Sequence, residues 1–149
     1  MSWFDWSLLE KNKEIHRFTR GMIAFRRAHP VLRDEVFYTD ADIKWFAPDG
    51  GTPNWHDARQ KSFACLVLGE TEPDLFLIFN AHTSSVDFVL PALPSNKVFR
   101  LAVDTSRSAP DDFHEPGNEP SMQGRTSFLV EPRSSAILLI GDGEVRSED

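Results

Sequence analysis

The hydrophobic pattern of the chain changes near residue 33, from a helical period to an extended one. Before that point, apolar residues recur at spacings of three and four, as on one face of an α-helix: Ile15, Phe18, Met22 and Phe25. Pro30 disfavours helical backbone geometry at the residue before it, His29, so the helix should end there. The pattern predicts one long amphipathic α-helix from about Leu8 to Ala28.

Two signals precede this helix. Ser7-Leu8-Leu9-Glu10 has the S-x-x-E form of a capping box, in which two free backbone N–H groups are satisfied reciprocally. Further upstream, Trp3-Phe4-Asp5-Trp6 brings a large aromatic area to a chain end, where residues are usually polar and frayed. This aromatic segment should therefore pack against another part of the protein.

From residue 34 onward, short apolar runs alternate with turn signals such as Pro48-Asp49-Gly50-Gly51. The candidate strands are residues 36–38, 43–46, 63–68, 75–79, 86–90, 98–103, 127–130 and 136–140. Strands that are separated by turns, with no helical segments between them, are typical of an antiparallel sandwich or barrel. We therefore expect a mainly β fold, an antiparallel β-sandwich preceded by one long amphipathic α-helix. Residues 106–124 should form a long surface loop.

The sequence divides into three parts: the aromatic segment and helix at 1–33, the β-sandwich at 34–141, and an acidic tail at 142–149 that we expect to be disordered. Burying a Leu- or Phe-sized side chain stabilises a fold by roughly 1.5–3 kcal/mol, so the four residues of the helix stripe amount to roughly 6–12 kcal/mol. That is comparable with the whole stability of a domain, about 5–15 kcal/mol. The helix must therefore dock, either on the sandwich or on a layer outside this chain.

The charge is divided unequally between these parts. Residues 1–33 carry seven basic and three acidic residues, or +4, whereas residues 34–149 carry nine and twenty, or -11, which gives the total of -7. The acidic part argues against nucleic acid as the main partner, because phosphate binding needs a basic footprint. The basic helix could be such a footprint, but a solvated charged face is the simpler explanation.

Composition also limits cofactors and location. Cys65 is the only cysteine, so no intramolecular disulfide is possible, and the five histidines lack metal-ligand spacing. We expect no metal and no other cofactor. The apolar runs are far shorter than the ~18 residues of a membrane span, and no signal peptide is visible. A cytoplasmic protein with no membrane partner is therefore expected.

Several motifs, taken in order, resemble one enzyme family. They are Ser2-Trp3-Phe4-Asp5-Trp6, Leu8-Leu9-Glu10-Lys11-Asn12, Phe25-Arg26-Arg27-Ala28-His29-Pro30-Val31-Leu32, Ile43-Lys44-Trp45, Pro48-Asp49-Gly50, Asn80-Ala81-His82, Val103-Asp104-Thr105 and Pro132-Arg133-Ser134. Together they resemble the C-terminal part of bacterial glycogen-debranching enzymes of the isoamylase type, in the α-amylase superfamily. The resemblance covers nearly the whole chain, and residues 106–124 and the acidic tail are least alike.

The resemblance implies both a fold and a place for catalysis. Such enzymes carry a (β/α)₈ catalytic barrel followed by a small antiparallel β-sandwich called domain C. Residues 1–33 would then be the aromatic loop and last helix of a barrel that otherwise lies outside this chain, and residues 34–141 would be domain C. The two carboxylates that such glycosidases need lie on barrel strands upstream of this segment. We therefore expect no catalytic residue here and no activity of this chain alone.

Four tryptophans are candidate carbohydrate-binding residues. Trp3 and Trp6 could stack on a sugar ring at the mouth of the barrel, or they could pack the helix against domain C. Trp45 and Trp55, together with His56, could form a surface platform for a glucan, or they could serve as a cross-strand aromatic and a loop plug. The sequence leaves both pairs of alternatives open.

Three functions are compatible with these features. The first is the non-catalytic C-terminal portion of an enzyme that hydrolyses α-1,6-glucosidic bonds in glycogen, acting as a scaffold for the barrel and meeting α-glucan through the parent enzyme. The second is a freestanding glucan-binding module, which needs exposed, coplanar aromatic side chains. The third is a protein-interaction domain that docks on a separately encoded barrel through the helix and hides its apolar stripe.

Overall fold

The computed structural model describes residues 3, 5–33, 35, 37–69 and 73–143. The chain divides into two compact units, residues 1–35 and residues 36–149. The first unit is helical in its described part, and the second is built from strands and turns. No helix in the described part of the chain has both the length and the apolar character needed to cross a membrane.

The first unit contains two α-helices, α1 at Ser7–Lys11 and α2 at Lys13–Ala28, followed by a 3₁₀ helix at Pro30–Arg33. The predicted long amphipathic helix is present as α2, but it begins at Lys13 rather than at Leu8, because Asn12 leaves helical geometry with φ -115° and ψ 31°. Asn side chains compete with helical backbone hydrogen bonds and so favour turns over helix interiors. The predicted end is confirmed, since α2 stops at Ala28 and the next residue is extended.

The start of α1 is supported by Asp5 rather than by a capping box. The Asp5 oxygen Oδ1 accepts hydrogen bonds from the Ser7 hydroxyl at 2.7 Å and from the Ser7 backbone N–H at 3.0 Å. These two bonds, the hydroxyl bond foremost, lower the pKa of Asp5. Trp6, rather than Ser7, occupies the N-cap position, and its side chain makes no capping hydrogen bond, so the predicted capping role of Ser7 is wrong. A carboxylate is favourable at this end of a helix because it satisfies a free N–H group.

The apolar stripe of α2 is unevenly buried. Phe25 is buried, and its ring centroid lies 4.1 Å from that of His29, whose Nδ1 atom is 2.8 Å from the Phe25 carbonyl oxygen. Phe18 and Met22 are half-buried. Ile15, by contrast, is 67% exposed. The N-terminal half of the helix therefore presents apolar surface to solvent.

The second unit consists of seven strands in two antiparallel sheets: β1 (Ile43–Phe46), β2 (Ser62–Val67), β3 (Asp74–Asn80), β4 (Val86–Val89), β5 (Lys97–Asp104), β6 (Ser127–Val130) and β7 (Ser134–Asp142). The five-stranded sheet has the order β1-β2-β3-β7-β5, and β4 pairs with β6 in the second sheet. This arrangement confirms the mainly β class and the antiparallel sandwich that the apolar runs predict.

Three segments differ from the sequence-based expectations or fall outside the described residues. Residues 37 and 38 are not in a strand, and Val36 is not described. The segment 106–124 is more than a surface loop, because its backbone is hydrogen-bonded to β5 at four points: Asp104 to Asp112, Ala102 to His114, Leu101 to Pro120 and Phe99 to Met122. Of the predicted acidic tail, Asp142 ends β7, and residues 144–149 lie outside the described part.

The hydrophobic core lies between the two sheets. Fully buried Phe76 on β3 has ring centroids of neighbouring phenylalanines at 5.7 Å (Phe46) and 6.0 Å (Phe99). Phe88 of β4 stands opposite Phe128 of β6 and packs into the same cluster from the second sheet. Side chains alternate between the two faces of each strand, so one face of the five-stranded sheet supplies its half of this core.

Asn80, at the end of β3, joins the two sheets through a buried side-chain amide. Its Oδ1 atom accepts hydrogen bonds from the Ser62 hydroxyl on β2, at 2.8 Å, and from the His82 backbone N–H, at 2.9 Å. Its Nδ2 atom lies within 3.0 Å of three carbonyl oxygens: those of Ser84, Val130 and Glu131. One side chain therefore ties together β2, the turn that leads to β4, and the end of β6.

We expect the Asn80→Ala variant to lose about 2–4 kcal/mol of unfolding free energy, because several buried donors and acceptors lose their partner. Urea denaturation followed by circular dichroism measures the change. Asn118→Ala is the matched control, since Asn118 is exposed and an exposed substitution usually stays within about 0.5 kcal/mol. Equal losses in the two variants would contradict the role given to Asn80.

The thiol of Cys65 is buried in β2, and this burial raises its pKa to about 11. Because the thiolate is the reactive form, we expect negligible labelling of the folded protein by a thiol reagent near neutral pH and complete labelling in guanidinium chloride. A Cys65→Ala/Ser95→Cys double variant, with its thiol at an exposed position, should react rapidly while folded. Rapid reaction of folded wild-type protein would contradict the burial of this thiol.

Candidate carbohydrate-binding site

Trp45, Trp55 and Phe63 form an aromatic corner on the second unit. The two indole centroids are 5.5 Å apart and their planes meet at 85°. The Phe63 ring completes a triangle, at 5.9 Å from Trp45 and 5.7 Å from Trp55. Trp45 is 41% exposed and Trp55 is 60% exposed, whereas Phe63 is half-buried. Both indoles of the aromatic corner are thus open to solvent, and both contact the Phe63 ring.

Neighbouring strands place these rings together. Trp45 on β1 pairs with Cys65 on β2, and Phe63 lies two residues away on the same face of the sheet. Phe79 on β3 pairs directly with Phe63, at a centroid distance of 5.2 Å. The core residues of these strands, such as Ala64, face the other way. The aromatic corner therefore stands on the face of the five-stranded sheet that is turned away from the core.

Trp55 is held by a loop that is closed by its own hydrogen bonds. The Asn54 N–H donates to Gln60 Oε1 at 2.7 Å, and the Gln60 N–H donates to the Asp57 carbonyl oxygen at 2.9 Å. Within the loop, Asn54 Oδ1 accepts from the His56 N–H and the Asn54 carbonyl oxygen accepts from the Asp57 N–H. The loop is ordered before any ligand binds, which reduces the entropy that binding would cost.

The same loop carries a bidentate ion pair. Arg59 Nε and Nη2 each lie 3.0 Å from an oxygen of Asp57. These hydrogen bonds lower the pKa of Asp57 and raise that of Arg59, so both groups are charged at neutral pH. Together with exposed His56, they supply donors and acceptors in the chain segment that holds Trp55.

The structure separates the four candidate tryptophans into two groups. Trp45 and Trp55 are in contact, but their perpendicular planes form a corner rather than the coplanar platform that a flat glucan-binding surface would need. Trp3 and Trp6 belong to the first unit, where they are 91% and 75% exposed. Their assignment to sugar binding or to packing stays a prediction.

Phe63 and Phe79 were not among the candidates drawn from the sequence. Both stand in continuous apolar runs, which indicate burial on both faces of a strand and so conceal a side chain that supports a surface site. The alternation of side chains between the two faces of a strand could have identified Phe63. Phe63 is two residues from Cys65, which pairs with Trp45, so Phe63 and Trp45 lie on the same face of the sheet.

Four of the described carboxyl groups have a shifted pKa. The carboxyl groups whose pKa departs from its usual value are exposed or half-buried, and in each the pKa is lowered by hydrogen bonds: Asp5, Asp42, Asp57 and Asp142. The general acid of a glycosidase needs the opposite change, a raised pKa. Within the described ranges there is also no group of three or more His, Cys, Asp or Glu residues that could hold a metal ion.

Two antiparallel sheets around one apolar core define this chain's second unit as a β-sandwich domain. The family profile described as "Isoamylase, C-terminal" matches residues 42–140, which is most of that domain. The chain therefore belongs to the isoamylase C-terminal domain family.

Individual relatives agree with this assignment. The isoamylase of Pseudomonas amyloderamosa is 28% identical over 147 residues, covering 93% of this chain and 19% of that protein. Isoamylase 3, chloroplastic, of Oryza sativa subsp. japonica is 34% identical over 137 residues, covering 91% of this chain and 16% of that protein. The chain thus spans less than a fifth of the length of these relatives.

A solved structure shares the fold. Pullulanase type I from Bacillus subtilis, in a crystal structure with maltose, aligns with a TM-score of 0.62 and 20% identity. The alignment covers 91% of this chain and 17% of the pullulanase chain. At this identity the likeness concerns the fold.

The edge-to-face contact in the aromatic corner should be measurable as a coupling. We expect Trp45→Ala and Trp55→Ala to show an interaction free energy of about 0.5–1.5 kcal/mol in a double-mutant cycle of unfolding stability, the usual worth of such an aromatic pair. The control cycle combines Trp55→Ala with Phe88→Leu in the core between the sheets, where effects should add within about 0.5 kcal/mol. A coupling near zero in the first cycle would show that the two indoles do not support each other.

Proposed function

We propose that this chain is the non-catalytic C-terminal part of an α-1,6-glucan debranching enzyme, in which it supports the catalytic barrel. The observation that carries this proposal is the family match over residues 42–140 in a chain that spans less than a fifth of its relatives. Both relatives compared above are named isoamylases, and α-glucan is therefore the substrate class proposed for the parent enzyme.

In this proposal residues 1–33 are the aromatic loop and last helix of the barrel, and residues 34–141 are domain C. The exposed apolar side chains of the first unit support this division. Ile15, Ile23, Trp3 and Trp6 are all at least half exposed, and exposed large apolar side chains are typical of an interface. A barrel sheet would cover such side chains and stabilise the helix by their burial.

Catalysis is proposed to lie outside this chain. Glycosidases of this class need a nucleophilic carboxylate and a general acid of raised pKa, and every shifted carboxyl pKa in the described part is lowered. This chemistry needs no cofactor, and none is proposed here. A cytoplasmic location stays a prediction.

Specific observations also favour the other two functions. The open indoles of Trp45 and Trp55 favour glucan binding by the sandwich itself. The 67% exposure of Ile15 favours docking of the first unit on a partner protein, and the partner expected is a catalytic barrel, whether in the same polypeptide or in another.

The proposal predicts that the purified chain releases no oligosaccharides from a glycogen limit dextrin under conditions in which an isoamylase does. It also predicts that an antibody against residues 34–141 detects, in extracts of the source organism, a species far heavier than the 16.9 kDa of this chain. Hydrolysis by the pure chain would overturn the non-catalytic role. A native band near 16.9 kDa would instead favour the freestanding module or the docking domain.

A further inference from the structure

We infer that the aromatic corner of Trp45, Trp55 and Phe63 is a contact site for a curved, uncharged α-glucan chain, with the open indole of Trp55 stacking on the sugar. The inference rests on the proposed function for the class of ligand, because it takes α-glucan as the substrate of the parent enzyme. It does not depend on the barrel, and it places a sugar contact on the sandwich itself.

More than half of Trp55 is exposed to solvent. A tryptophan buries about 150–250 Å² when it packs fully, and this burial is a large favourable contribution to a fold. Trp55 is 60% exposed although Phe63 and Trp45 lie beside it, so most of this stabilisation is not realised. A side chain whose only role was to plug a loop would be turned into the sheet.

The loop of residues 54–60, which carries Trp55, is held by its own hydrogen bonds. Residues 54–60 are closed by five short-range hydrogen bonds, each donated by a backbone N–H group to an oxygen of Asn54, Asp57 or Gln60. Trp55 is therefore kept open by an ordered loop rather than by local disorder. Ordered aromatic groups bind with a smaller loss of conformational entropy than mobile ones.

The angle between the indoles selects the shape of the ligand. The apolar C–H face of a sugar ring packs on the face of an aromatic ring, so two coplanar rings suit a flat, ribbon-like glucan. Two rings at 85° suit a chain that bends between successive sugars, as an α-linked chain does. An α-1,4-linked oligosaccharide can lie on one indole and turn against the other.

The negative net charge of the chain from residue 34 onward favours an uncharged ligand over an anionic one. The residues from 34 onward carry a net charge of -11, which repels anions such as phosphorylated ligands or nucleic acid. The charged groups beside Trp55 in sequence, Asp57 and Arg59, neutralise each other in a bidentate pair. What remains is a hydrogen-bonding, electrically balanced surface, which fits the hydroxyl groups of a neutral sugar.

The test uses the full 149-residue chain and measures dissociation constants by isothermal titration calorimetry. The probes are maltoheptaose, an α-1,4-linked oligosaccharide, and cellohexaose, its flat β-1,4-linked counterpart. We expect the wild-type chain to bind maltoheptaose at least about tenfold more tightly than cellohexaose, which corresponds to about 1.4 kcal/mol. Trp55→Ala should weaken maltoheptaose binding about tenfold or more, and Trp55→Phe, which keeps a smaller aromatic face, should weaken it less.

Phe37→Ala is the matched control, because it removes an aromatic side chain of the second unit that is 98% exposed and lies outside the aromatic corner. It should leave the dissociation constant unchanged within about twofold, and circular dichroism melts of all variants report whether each is folded. No binding by wild-type chain, binding unaffected by Trp55→Ala, or loss of binding in Phe37→Ala would each overturn the inference. The non-catalytic role is judged separately, by limit-dextrin hydrolysis and native mass, so either proposal can fail without the other.

Discussion

The side-chain amide of Asn80 is the interaction on which the rest of the β-sandwich depends. Apolar contact between the two sheets supplies most of the stabilisation, but hydrophobic attraction is non-directional and does not fix how one sheet lies on the other. The Asn80 amide fixes this placement. Its oxygen accepts a hydrogen bond from Ser62 on β2, and its nitrogen donates to carbonyl groups at the end of β6. The connections into β4 and into β7 both start from this point, so the placement of the second sheet follows from one buried residue.

The two faces of the five-stranded sheet serve different purposes. The inner face carries Phe76 and its neighbours in the core, where each ring is enclosed. The outer face of the same strands carries Phe63 and Phe79, which form a half-buried base beneath two open indoles. A site gains precision when its side chains stand on regular elements and are braced by packing. Here the strands that build the core also position Trp45, and only Trp55 depends on a loop.

Much of the fold follows from the sequence, because apolar runs, turn residues and Pro30 act locally. All seven strands of the sandwich and the end of α2 were predictable for that reason. The break at Asn12 was not, since apolar residues precede it at Leu8 and Leu9 and follow it from Ile15, and only a modest backbone preference opposes the helix. The geometry of the aromatic corner was not predictable either. The sequence names Trp45 and Trp55 as candidates, but the angle between their rings and their common contact with Phe63 depend on strand pairing.

The hydrogen-bonded segment along β5 has a consequence for how this domain behaves beside copies of itself. An open strand edge is a template on which another chain can add a strand, and long flat edges are where sheets propagate into aggregates. The eight residues of β5 are shielded by the backbone of residues 112–122, while β1, at the other edge, is only four residues long and carries Lys44. Both edges of the five-stranded sheet are thus poor templates, so copies of this domain have little tendency to join edge to edge when they are concentrated.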